Sequence, residues 1–233
     1  MNSDRNPGKI AGFWYLLLTL LGPIRLIYIP GKLFVSGNAT ATASNIAAHE
    51  TLFRLGILSE LLSGVVLIFL ALALYRLLKD VNHNLAVMMV VLGGFLPAAI
   101  DFFNLLNDAA ALILVHGADY LRVFDQPQRN ALAMLFLSLF DHENFAAEIL
   151  WGLWLIPLAI LVYRSRFLPR FLGVWLYING LAYVALCFTG WLAPRYYAMA
   201  FNSAFPMLFG EVAFMLWLVI KGAKPKALAA ATA

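Results

Sequence analysis

Long apolar runs separated by short polar or Gly/Pro-marked interruptions dominate the chain, and these runs determine its class. About 18 or more consecutive residues with few charges cross the hydrocarbon core of a bilayer as a helix. The first such run covers residues 10–29 and ends at Pro30-Gly31. Residues 32–48, small and rich in Thr, Ala and Asn, read as an aqueous loop. A second helix is expected over residues 47–79, with residues 55–78 at hydrocarbon depth and a turn at Asp80-Val81-Asn82. The third stretch, residues 83–116, is long enough to tilt, protrude or break, and its Gly93-Gly94 and Pro97 are identifiable causes of a kink. After a loop at 117–127, a fourth stretch runs over 128–163, polar at 141–144 and most apolar at 145–161. A basic turn at 164–170 leads to a fifth helix over 171–191, a loop at 194–197 and a sixth helix over 198–220. The expectation is an all-α integral membrane bundle of six transmembrane helices, one domain over residues 1–222, with residues 223–233 as a disordered or frayed tail.

Composition sharpens this class. The chain is 63% apolar and 12% charged, against roughly 45–50% and about 25% in an average soluble domain. A net charge of +4 raises the question of nucleic acid, but the basic residues sit at helix ends instead of forming a stripe with interleaved aromatics, so no nucleic-acid partner is expected. They fit membrane topology better. Ten of the 16 Lys and Arg residues (Arg5, Lys9, Arg76, Lys79, Arg164, Arg166, Arg170, Lys221, Lys224 and Lys226) share one side if the helices alternate, which places both termini in the cytoplasm. Trp14, Tyr15, Trp151, Trp154, Tyr163, Trp191, Tyr196 and Tyr197 supply candidate interfacial anchors. Arg5 and Lys9 before an apolar stretch resemble the start of a signal peptide. That stretch exceeds a signal's apolar core, however, and Pro30-Gly31-Lys32 separates it from Ala39, Ala41 and Ala43, so an uncleaved first helix is expected. A single cysteine, Cys187, excludes a disulfide framework.

Charged groups in hydrocarbon cost at least a few kcal/mol, about 2.5–3.5 on insertion scales, so acids within membrane helices mark candidate sites. Glu60, Asp101, Glu148 and Glu211 lie on four different expected helices, and Asn179 on a fifth is their neutral companion. Asp101, Asn104 and Asp108, at i, i+3 and i+7, share one helix face, and Asp141, Asn144 and Glu148 repeat that spacing. Two readings follow. The stripes line a crevice open to the outer side, or Asp108 and Asp141 sit at the water interface and leave Asp101 and Glu148 buried. Arg25, late in the first run, either snorkels or pairs with Asp101, Glu60 or Glu148, and Arg54 has Glu50 one turn earlier. Acids still outnumber bases at depth. Burial favours the uncharged carboxyl, making a proton the simplest occupant, with a cation or a small molecule as the alternatives.

His49, His116 and His142 are the weak candidates for a metal, together with Glu60, Asp101 or Glu148. Asp141, His142 and Glu143 are adjacent on a helix and point about 100° apart, so they cannot all face one ion. Gly-x-Ser-x-Gly, a phosphate loop and a dinucleotide fingerprint are absent. Ser59, Ser63, Ser138 and Ser203 fall in or near spans, where serine commonly bonds helix backbone. Trp151-Gly152-Leu153-Trp154 and Trp175-Leu176-Tyr177 read as packing or lipid-facing segments.

Four segments carry a resemblance: Lys9-Ile10-Ala11-Gly12; residues 70–79, from Leu70 to Lys79; residues 163–173, with the basic turn as the most specific part; and residues 210–222, from Gly210 to Gly222. Across nearly its whole length the chain resembles a bacterial multi-pass membrane family known only as a domain of unknown function. The resemblance implies a bacterial inner-membrane location and six helices, and brings no activity or cofactor. The residues themselves point to an acid-lined pocket for a small molecule, proton or cation, in transport or sensing, with membrane lipids as partners. An intramembrane metal-dependent enzyme acting on a lipid-like substrate and a non-catalytic partner of another membrane protein are the alternatives.

Overall fold

A computed structural model describes residues 6–225, and every regular element among them is helical. The helices are α1 (Pro7–Leu33), α2 (Ala39–Ala48), α3 (Glu50–Leu78), α4 (His83–His116), α5 (Gln126–Ser165), α6 (Arg170–Leu192) and α7 (Tyr197–Ile220). All but α2 are long and apolar enough to cross a membrane, which gives six candidate spans among the described residues. The chain is therefore a polytopic helical membrane protein. Residues 226–233, most of the expected tail, lie outside the described residues, as do Arg5 and Lys226.

Two local expectations are corrected. The first helix does not stop at Pro30-Gly31 but continues to Leu33, because a π-helical turn at Ile24–Tyr28 absorbs the proline. Pro30 has no N–H for the carbonyl of Leu26 and its ring crowds that carbonyl. The preceding Ile29 N–H bonds to Ile24 O, five residues back. The same device recurs at Val91–Phe95, where Leu96, the residue before Pro97, donates to Val91 O. The expected irregularity at Gly93-Gly94 is thus a π turn inside a continuing span. The second correction concerns residues 32–48, expected as a loop, most of which form α2. Asn38 caps this helix by accepting from Ala41 N at 2.9 Å, and Thr42, Ala43 and Ile46 are buried.

The contacts divide the chain into two compact units. The described residues of one are 6–18, 65–98 and 145–225. Its core includes Leu70, Leu74, Met89, Leu155, Leu158, Leu176, Phe214 and Leu218. Gly152 of α5 and Gly180 of α6 meet there backbone to backbone. A Cβ on Gly152 would stand 2.5 Å from Gly180 O, and one on Gly180 would stand 2.8 Å from Gly152 O. Small residues permit this approach between membrane helices. The indole of Trp154 lies against Gly93 in the same way, at 2.4 Å from where a Cβ would be. Beyond α7, Gly222 takes a positive φ of 69° and turns the chain so that Ala223 meets the N-terminal segment. Gly8 N donates to Ala223 O, and Ala223 N donates to Asn6 Oδ1, both at 3.0 Å. Both described ends therefore lie together in this unit.

The other unit comprises Thr19–Gly64 and Ala99–Asn144. Its core is built from Ile29, Leu33, Ile46, Phe53, Ala111, Leu114 and Leu137. The glutamate–arginine pair expected one turn apart on α3 is present, Arg54 Nε to Glu50 Oε1 at 2.5 Å.

Candidate functional site

Two sets of buried polar groups stand out, one in each unit. In the first unit, Glu211 of α7 receives hydrogen bonds from Tyr15 of α1 at 2.5 Å and from Asn179 Nδ2 of α6 at 3.3 Å. Tyr183, one turn beyond Asn179, directs its hydroxyl to the same carboxyl and also lies within electrostatic reach of Glu148. Glu148 of α5 accepts from Tyr197 of α7 through Oε1. Its side chain is 4% exposed, and its Oε2 is buried with no partner among the described residues. Asn179 Oδ1 is buried and unpartnered in the same sense. Tyr15, Glu211 and Tyr183 thus form one hydrogen-bonded group and Glu148 with Tyr197 another, the two within electrostatic reach of each other at Tyr183. The Gly152–Gly180 contact positions them, because Glu148 precedes Gly152 by one turn and Asn179 and Tyr183 flank Gly180. No ion pair reaches Glu148 or Glu211 among the described residues.

In the second unit, Arg25 and Asp108 are both fully buried and make a two-pronged pair, Nε to Oδ2 and Nη2 to Oδ1, each 2.6 Å. The guanidinium also stacks on Phe140, 3.6 Å from the ring centre. Asn104, 2% exposed, donates to Glu143 and to Phe140 O, and accepts from Asn107 at 2.8 Å. Glu60, Asp101 and Glu143 lie within electrostatic reach of one another, and Glu60 also feels Arg25 and Asp108.

These geometries revise several expectations. Arg25 pairs with Asp108, not with Asp101, Glu60 or Glu148, and Asp108 is interior rather than at an interface. Spacing identified the face of α4 but not which turn of it would meet α1. The face of Asp141, Asn144 and Glu148 is divided: Asp141 is exposed, Asn144 bonds Phe140 O at 3.0 Å, and Glu148 joins Tyr197 in the first unit. Glu143 is the residue that answers Asn104. Sequence spacing passed over it because its face was assigned from Asp141. Tyr15 and Trp154, placed among the interfacial anchors, are buried at 3% and 4% exposure, and Tyr197 is half-buried with its hydroxyl on Glu148. A phenol inside an apolar run needs a partner for its hydroxyl, and that was the available signal.

The histidines are dispersed. His116 pairs with Glu50 at 2.9 Å, His49 contacts Asn45 O at 3.1 Å and His142 contacts Ser138 O at 2.7 Å. Among the described residues no three His, Cys, Asp or Glu side chains are grouped to hold a metal. Ser59, Ser63, Ser138 and Ser203 each bond a helix carbonyl.

A multi-pass helical membrane protein with carboxyls held inside its helix packing is the class these features define. The chain belongs to the family described as "Domain of unknown function (DUF4386)", whose model matches residues 10–222. It is also 30% identical over 156 residues to an "Uncharacterized protein" of Archaeoglobus fulgidus, covering 66% of this chain and 75% of that one. That relative is archaeal, whereas the sequence resemblance implied a bacterial family. No solved structure matches the chain.

Proposed function

We propose that this is a proton-binding integral membrane protein in which Glu148 and Glu211, linked through Tyr183, load and release a proton at membrane depth, in transport or sensing. Glu148 carries the reading. It is nearly fully buried, its described partner is the neutral hydroxyl of Tyr197, and its second oxygen is buried without a partner among the described residues. An isolated carboxylate in a low-dielectric interior costs several kcal/mol, on the order of the penalty for any lone buried ion. A proton on the carboxyl removes that cost without needing a cation. The same reasoning extends to Glu60 and Asp101, which both lie within electrostatic reach of Glu143, while the guanidinium of Arg25 makes its two-pronged pair with Asp108. The orientation we assign keeps the basic turns and both termini in the cytoplasm, with the chain in the cell's plasma membrane.

Infrared difference spectroscopy of the protein in lipid nanodiscs tests this reading. The wild type is expected to show a protonated-carboxyl band with one component that Glu148→Gln removes and Tyr197→Phe shifts, and a second that Glu211→Gln removes. All three variants keep the side-chain shape, so their thermal midpoints report whether the fold is intact. A wild type without such a band, or a band indifferent to both glutamine variants, overturns the proposal. Loss of membrane insertion in both would make the acids structural.

A further inference from the structure

The basic turn between α5 and α6, the most specific part of the sequence resemblance, plays no part in either carboxyl group. Within residues 163–178 it gathers Arg164, Arg166 and Arg170 and contains no acid. None of the three arginines forms an ion pair among the described residues, whereas exposed Arg54 and Arg122 are each paired on their own helix or turn. The turn is rigidly made: Ser165 Oγ donates to Val162 O at 2.8 Å and accepts from Leu168 N at 3.3 Å, and Arg166 takes a positive φ of 62°.

Beside this turn lies a groove of about 340 Å³. Its floor forms where α6 approaches α5 so closely that a Cβ on Gly173 would stand 2.8 Å from Ala159 O. Val174 and Ile178, 50% and 41% exposed, form an apolar wall that the other described residues leave open. Tyr163 and Arg164 stand at the mouth, and the guanidinium of Arg170 lies 5.6 Å from the Tyr163 ring centre. Cations at one end and an apolar trough at the other match, in order and in sign, a lipid phosphate followed by its acyl chain. Basic pockets between membrane helices hold anionic headgroups for this reason.

We propose that this groove is a binding site for an anionic phospholipid, its phosphate on Arg164 and Arg170 and its acyl chain along Val174 and Ile178. The site is independent of the proton chemistry above.

Native mass spectrometry of the purified protein, loaded with phosphatidylglycerol or with phosphatidylcholine of the same chains, tests the assignment. The wild type is expected to retain phosphatidylglycerol preferentially. Arg164→Gln and Arg170→Gln should each weaken it about fivefold, roughly the 1 kcal/mol of one basic side chain near an anionic lipid. Val174→Trp, which fills the trough without changing charge, should reduce retention of phosphatidylglycerol, and Arg195→Gln, on another turn, should leave it unchanged. Equal retention of the two lipids by the wild type overturns the proposal. So does retention unaffected by the arginine variants or by Val174→Trp. Displacement of the lipid by inorganic phosphate alone would show a simple anion site and also overturn it. Should an arginine variant fail to fold, Val174→Trp and the wild-type lipid comparison still decide.

Discussion

At the scale of single residues, Arg25 and Asp108 show why a charge inside an apolar helix is tolerated. The two-pronged geometry at 2.6 Å satisfies both carboxylate oxygens, and the Phe140 ring covers the guanidinium face. Arg25 Nη1 remains buried without a partner among the described residues, so the pair is held tightly without being fully satisfied. Removing one member strands the other, which costs about 3–5 kcal/mol in a buried pair, while replacing both by apolar residues of similar volume is often neutral. Asp108→Asn or Arg25→Met alone should therefore lower the thermal midpoint strongly, and Arg25→Met with Asp108→Leu should recover much of the loss. Unfolding followed in detergent measures this, and strict additivity of the two single effects would contradict it. The acids were legible in the sequence because charges are rare in apolar runs. Their partners were not, since Arg25 and Asp108 are 83 residues apart and Glu148 and Tyr197 are 49 apart.

Among the helices, glycine placement decides how closely the site-bearing elements approach. Gly152→Ala puts a Cβ 2.5 Å from a backbone carbonyl that cannot swing aside. It should destabilise by about 1–3 kcal/mol, the range for overpacking, and perturb the Glu148–Tyr197 bond by moving α5. Gly22→Ala, on α1, meets nothing within 4 Å and should be neutral or slightly stabilising, since alanine is favoured over glycine within a helix. Parallel melting curves of the two variants distinguish a packing requirement from a general preference for glycine. Apolar run lengths set the number of helices, but not whether a proline ends one. Pro30 and Pro97 are both absorbed by a π turn just before them, and α5 and α7 contain Pro157 and Pro206 within continuous helices. For residues 32–48 small polar composition suggested water. The Asn38 cap and the burial of Ile46 made a helix of them instead.

For the whole molecule, the testable property is topology. An even number of spans places the chain ends on one side, and the Gly8–Ala223 and Asn6–Ala223 hydrogen bonds bring the described ends into direct contact. Reporter fusions at the two ends should give the same sidedness, on the cytoplasmic face where the basic turns favour retention. Opposite readings at the two ends would contradict six spans, and an external reading at both would reverse the orientation. Cys187 is buried and is the single cysteine, so a Cys187→Ala background allows introduced cysteines to map each loop without interference.

The sequence by itself determined that this is an all-helical, six-span membrane protein with acids on four of its helices. Hydrocarbon length and the cost of charge act locally along the chain, so periodicity and composition record them. Only the tertiary structure decided which acid meets arginine, which meet tyrosine, and that Glu143 is the acid that answers Asn104. Those outcomes depend on the height and rotation at which helices distant in sequence cross. The Gly152–Gly180 approach is one contact that fixes such a crossing, and no pattern within a single helix encodes where its neighbour will lie.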